Sequence, residues 1–371
     1  MDDFIGDFVG NKGDLWGGKR YNALAAHLRR QFGNKIVKVG LDAGCSCPNR
    51  DGNVGTGGCL FCSPRGSGDF AGDSRAGIAE QYEEVRRRTL VKWPQARYIA
   101  YFQSYTSTYG DPARLARLMR EASLLPDVVG TVLATRPDCL GDEVMEVLTN
   151  PLTTPLWLEI GLQTIHDSSL EIMNRGHDFA CFLNALERLK PYNIPVCAHI
   201  VLGLPWETRG MMIETARRVA LLPLQGVKIH ALYIIKGSEL GRIWQRRKES
   251  SSFGVDVEDG YKGGEGGDRR AGEGRDGDGR DGEEKGQVVW EDSWKLLSRQ
   301  EYVELAADVL EILPAHFIIH RLTGDGRYKD VMAPTWTLAK WELLNAIDRE
   351  MERRGSRQGG TTENRPLAVF C

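Results

Sequence analysis

The sequence predicts an α/β protein of about six β/α units, with a small C-terminal α/β extension and a disordered insertion. Three observations carry this. Short continuous apolar runs alternate with amphipathic segments from residue 36 to 245, the pattern of a parallel sheet covered on both faces. About six units curl into a partial TIM-like barrel where eight would close one. After Ile243 the rhythm gives way to a long stretch of Gly, Asp, Glu and Arg with few apolar residues.

Taken in order, residues 1–35 are a glycine-bearing lead-in followed by a helix from Tyr21, with Leu24, Leu28 and Phe32 on one face and Gly33 as its stop. The barrel, residues 36–245, begins with a strand at Ile36–Leu41. A loop rich in Gly, Asn, Asp and Pro follows it and holds four cysteines between Cys45 and Cys62. Helices are expected at Ile78–Leu90, Pro112–Ala122, Asp142–Leu148, Phe179–Lys190 and Met211–Leu221. Strands are expected at Arg97–Phe102, Val128–Ala134, Leu156–Leu162, Val196–Leu202 and Val227–Ile235. Reactive groups then belong in the loops where strands run out. Residues 249–286 hold too few apolar side chains to offset the entropy of ordering and read as a disordered, solvated insertion. Order resumes over 288–353, with a helix at Arg299–Leu313, a strand at Phe317–Arg321 and a helix at Thr337–Arg353. Residues 354–371 form a polar, mobile tail.

Composition excludes several classes. A net charge of -3 in a chain of 371 residues gives no global nucleic-acid signature, so an RNA partner has no support from composition. The longest apolar runs, such as Val196–Leu204, are too short to span a bilayer, and the start, Met1-Asp2-Asp3-Phe4, is acidic where targeting peptides are basic. The expected location is cytoplasmic, with other reducing organelles left open. Eight cysteines are too few for a disulfide scaffold of this size, and their clustering points to a metal or redox site.

Thiolates are soft ligands that suit zinc, copper(I) or iron-sulfur clusters. With Cys45 included, four cysteines could hold zinc in a scaffold or binding protein without redox chemistry, although Cys45-x-Cys47 is a poor chelating pair. With Cys47, Cys59 and Cys62 alone, one iron of a [4Fe-4S] cluster lacks a protein ligand and becomes a reaction site.

The loop Gly44-Cys45-Ser46-Cys47-Pro48-Asn49-Arg50-Asp51-Gly52, with Gly57-Gly58-Cys59-Leu60-Phe61-Cys62, resembles the cluster loop of YhcC-type radical S-adenosylmethionine (radical SAM) proteins, relatives of the Elongator catalytic subunit. Similar motifs follow in order: Ala100–Thr108, Thr135–Cys139, Trp157–Thr164, Asn174–Ala180 and Val201–Pro205. The late insertion departs from the family pattern. The resemblance implies a partial (β/α)6 barrel and an enzyme that uses a [4Fe-4S] cluster on Cys47, Cys59 and Cys62 together with S-adenosylmethionine. It also implies an external one-electron donor such as a flavodoxin or ferredoxin. It leaves the substrate unknown, RNA or a small metabolite.

For individual residues it implies that Gln103 and Ser104, in the run to Thr106, meet the methionine amino group. Glu159 and Gln163 would meet the ribose or sulfonium, Arg175 the carboxylate, and Gly203 and Phe61 the adenine. Each has a plainer reading: a surface salt bridge for Arg175, a turn for Gly203, loop packing for Phe61. His199, His230 and Lys236 are substrate contacts or satisfied core groups. Cys139 and Cys197 are hydrogen donors or, like Cys181 and Cys371, free thiols.

Overall fold

The computed structural model describes residues 16–66, 68–251, 294–324 and 326–361. Its centre is one parallel sheet of seven strands in the order β1-β2-β3-β4-β5-β6-β8. These are β1 (Ile36–Leu41), β2 (Arg97–Phe102), β3 (Val128–Thr135), β4 (Leu156–Gln163), β5 (Val196–Leu202), β6 (Gly226–Ala231) and β8 (Ile318–Arg321). The sheet curls into a half-barrel. Each strand pairs in parallel with the next, and the helices between them cover the outer face.

Alternation along each strand divides the two faces. On β1, β2, β4 and β5 the residues Leu41, Tyr98, Phe102, Leu158, Ile160 and Ile200 are buried against the helical layer. Burial of each such side chain stabilises by about 1.5–3 kcal/mol. That layer contains α2 (Ile78–Lys92), α3 (Pro112–Ser123), α4 (Asp142–Thr149), α6 (Phe179–Leu189), α7 (Arg209–Val219), α9 (Arg299–Ile312) and α10 (Lys340–Arg353). Several helices start where side chains take up the orphan amides of the first turn. Asp111 accepts from Ala113 N–H ahead of Pro112, Asp178 from Cys181 N–H, and Ser298 with Glu301 forms a capping box on α9.

The inner face is layered. At its floor, α1 (Leu24–Phe32) packs Leu24, Leu28 and Phe32 against Ile99, Val129, Val132 and Trp157. It also packs against both edge strands, β1 and β8, and the preceding Ala23 forms a bridge to Ile319 of β8.

The structure differs from expectation at five places. The strand at Phe317–Arg321 belongs to the barrel sheet, beside β6, because its apolar face completes the core that Ile229 and Val227 leave open. The run Val227–Ile235 divides: β6 ends at Ala231, and β7 (Ile234–Ile235) pairs antiparallel with β9 (Val331–Ala333). A short α5 (Asp167–Ile172) follows β4, and α8 (Glu239–Ser251) extends through 249–251. The rest of the expected insertion, from 252, lies outside the described residues. Residues 354–361 are tied in: Gln358 accepts from Asn22 N–H and donates to the Pro314 and Phe317 carbonyls. The tail beyond 361 lies outside the described residues.

Candidate active site

The loop between β1 and α2 carries the cysteines, and its own turns set their spacing. Arg50 N–H donates to Cys47 O at 2.8 Å and Cys62 N–H to Cys59 O at 2.9 Å, so the two cysteine segments are separate turns. The loop is docked onto the segment after α5. Leu60 N–H reaches Met173 O at 3.0 Å, and Asn174 donates to the Gly58 carbonyl at 2.9 Å. Buried Asn49 donates in return to the Asn174 carbonyl and lies 3.7 Å from Cys59 Sγ.

Arg175 closes this contact. One terminal nitrogen lies 3.4 Å from Cys59 Sγ and the other donates to the Gly161 carbonyl at 2.9 Å, while its Nε has no partner. A Cβ at 161 would stand 2.5 Å from the Arg175 guanidinium, so any larger residue there requires the Arg175 side chain to shift. Two further guanidinium groups flank the sulfurs. Burial works against the charge on Arg50, but the neighbouring Cys62 and Cys47 hold it protonated. Arg136 is likewise buried, paired with Asp138 at 2.8 Å, and keeps one terminal nitrogen without a partner. Three cations around three sulfurs suit an anionic centre held between them.

Cys47, Cys59 and Cys62 line a cleft together with Phe61, Gln103, Glu159, Gln163 and Arg175. Gln163 sits at the end of β4 with φ +75°, a region costing a non-glycine residue about 1–3 kcal/mol, and its buried carbonyl oxygen has no partner. Among the described residues no three His, Cys, Asp or Glu side chains converge closely enough to hold a single metal ion. Cys45 is turned away: its thiol donates to the Ser107 carbonyl at 3.6 Å, and burial pushes it up.

Deeper in the barrel, Glu159 is buried with every acceptor position occupied. Lys38 Nζ at 2.7 Å and His320 Nδ1 at 3.1 Å meet one oxygen; Tyr101 Oη at 2.7 Å and Lys228 Nζ at 2.9 Å meet the other. Burial would raise its carboxyl, but Lys228 and Lys38 hold it well below the usual range. A register shift between β6 and β8 turns both His320 and Arg321 inward.

Two sequence profiles match this chain, that of the radical SAM superfamily over residues 50–219 and that of the radical SAM C-terminal domain over 287–353. YtqA of Bacillus subtilis (strain 168) is 41% identical over 342 residues, which are 92% of either chain. The chain belongs to the radical SAM superfamily. YhcC of Escherichia coli (strain K12), 32% identical over 91% of this chain and 94% of its own, places it in the YhcC-type group. Among solved structures, Methanocaldococcus infernus Elp3 shares the fold, with a TM-score of 0.57 at 15% identity over 87% of this chain and 64% of that one. This radical SAM protein is thus an enzyme built on a partial barrel. Among its described residues no helix is long and apolar enough to cross a membrane.

The structure gathers most of the expected site residues and separates two. Ser104 is buried against the loop at Gly68, its hydroxyl without a partner, outside the cleft lining. Gly203, φ +94°, faces Leu297 and Leu232 at ordinary contact distance. Its glycine meets a backbone demand, with no close approach inside the cleft. A cofactor contact through Glu159 would have to displace one of four partners. The sequence reading missed Arg50, Arg136, Tyr101 and Lys228. The signal for Lys228 was available: a lysine in phase with His230 in an apolar strand of a curled sheet faces inward.

Proposed function

We propose that this enzyme binds a [4Fe-4S] cluster through Cys47, Cys59 and Cys62 and cleaves S-adenosylmethionine reductively, to act on a substrate still to be identified. The observation that carries this is the shared cleft: three soft sulfur ligands line it together with guanidinium groups and with buried polar atoms that lack partners. A cluster held by Cys47, Cys59 and Cys62 would supply the one electron that reductive cleavage of S-adenosylmethionine requires, and that cleavage would provide the hydrogen-abstracting 5′-deoxyadenosyl group.

The chain's own residues bind, orient and enclose. The three sulfurs leave one coordination position to the cofactor. Arg175, fixed by the Gly161 carbonyl, directs its guanidinium toward the sulfurs and presents a fork suited to a carboxylate. Gln103 and Gln163 add amide groups at the ends of β2 and β4, and Phe61 closes the same wall with an apolar face. Glu159 acts as a positioning residue that holds Lys228 and Tyr101 in place. An external one-electron donor protein such as a flavodoxin or ferredoxin completes the reading.

The test is anaerobic reconstitution with iron and sulfide, followed by dithionite and S-adenosylmethionine, with chromatography for 5′-deoxyadenosine. Product is expected from the wild type. A preparation with verified cluster and no product would overturn the assignment, and zinc without iron in the native protein would restore the scaffold reading.

A further inference from the structure

The inner end of the cleft, beyond the groups just assigned to cofactor, has a chemistry of its own. Lys228 on β6 is buried there. An ammonium has three N–H groups, and two of these are used, on Tyr101 Oη at 2.8 Å and Glu159 at 2.9 Å. The third is left for the cleft that Lys228 lines. His199 on β5 and His230 on β6 line the same end, with their rings edge to face at 5.6 Å. His199 Nε2 and His230 Nδ1 are buried nitrogens without a partner.

The charge balance at this end is positive. Lys38 and Lys228 share one carboxylate, and that carboxylate has no acceptor position left. The other carboxylate lining the cleft, Asp69, belongs to the loop beyond the cysteines. Burial, with Lys228 near His199 and with Arg321 and Lys228 near His230, keeps both rings uncharged, so each carries one N–H, which one tautomer places on the nitrogen that lacks a partner. Buried donors without acceptors are costly in apolar surroundings, and a ligand that accepts from them and brings negative charge relieves both costs.

We infer that Lys228, His199 and His230 form a substrate subsite for a compact oxyanion, a carboxylate or a phosphate, at the end of the cleft away from the cysteines. This rests on the reading of the cleft as the site of S-adenosylmethionine cleavage, since it supplies the substrate end of that site. Glu159 and Tyr101 act here as positioning residues, aiming the ammonium without touching the ligand.

The test uses reconstituted, desalted full-length protein, titrated anaerobically by calorimetry with sodium phosphate and, separately, with sodium acetate. The arm that saturates distinguishes a phosphoryl from a carboxylate ligand. Lys228→Gln is expected to weaken that binding at least about tenfold, the scale of one lost charge-assisted hydrogen bond, and Lys228→Arg to retain most of it. If Lys228→Gln loses its circular dichroism spectrum, His230→Phe, which leaves the Glu159 contacts in place, carries the comparison with the same expected direction. No saturable binding of either anion by wild type, or wild-type affinity in a folded variant, overturns the subsite. The same preparations are assayed for 5′-deoxyadenosine. Product without anion binding sinks the subsite alone, whereas anion binding without product sinks the cleavage reading and leaves the subsite standing.

Discussion

The guanidinium of Arg175 spans from Cys59 Sγ, at 3.4 Å, to the Gly161 carbonyl, at 2.9 Å, and so ties the cysteine loop to the end of β4. A lysine at 175 can reach one of these partners but not both. Arg175→Lys is therefore expected to weaken S-adenosylmethionine binding about tenfold or more while iron still loads. Equilibrium binding on reconstituted protein, with iron and sulfide counted in the same samples, checks this. Unchanged affinity would remove Arg175 from the cofactor site.

Gly161→Ala should reproduce much of that effect without touching any ligand. The added methyl would meet the Arg175 guanidinium at 2.5 Å and the Gln163 side-chain amide at 2.8 Å. Overpacking of this kind costs about 1–3 kcal/mol. A lower urea midpoint together with reduced 5′-deoxyadenosine formation is the expected pair of results; a wild-type midpoint would show that the guanidinium moves aside freely.

Glu159 sets an acid limit on stability. Its carboxyl is held well below its usual value by Lys228 and Lys38 against the opposing effect of burial. A depressed carboxyl contributes stability above its unfolded value, near 4.5, which is lost as pH falls toward the folded value. Glu159→Gln should flatten the acid limb of a stability-versus-pH curve below about pH 4.5. At neutral pH it should cost about 3–5 kcal/mol, because two lysines lose their counter-charge. A variant as stable as wild type at pH 7 would refute the network's role.

The cysteines separate by iron content. Cys47→Ala, Cys59→Ala and Cys62→Ala are each expected to lose the cluster, and Cys45→Ala to retain it, since its thiol is directed to the Ser107 carbonyl and lies outside the cleft lining. Iron and sulfide analysis with the visible spectrum reads the result. Loss in Cys45→Ala with retention in Cys47→Ala would reverse the ligand assignment.

The strands were legible because parallel strands covered on both faces leave unbroken apolar runs: five such runs lie within a residue of β1 to β5, while the sixth, Val227–Ile235, runs four residues past the end of β6. The three cysteines were legible from spacing. The contacts that serve them were not. The motif around Asn174 and Arg175 carries no local sign that it reaches back across more than 110 residues to Gly58 and Cys59. The Glu159 layer draws Lys38, Tyr101, Lys228 and His320 from four strands, and only the curl of the sheet brings them together. Nor does sequence reveal that Gln163 takes a positive φ, because the strain is imposed by the register shift between β4 and β5.

The helix at the barrel floor has a mechanical consequence. Because α1 packs against both β1 and β8, the spacing of the two free edges is set by the girth of a helix and not by a ladder of hydrogen bonds. Leu24, Leu28 and Phe32 act as a spacer. Trimming or enlarging them would change the curvature of the sheet, and with it the reach from the cysteine loop to Lys228, without altering a residue of the cleft.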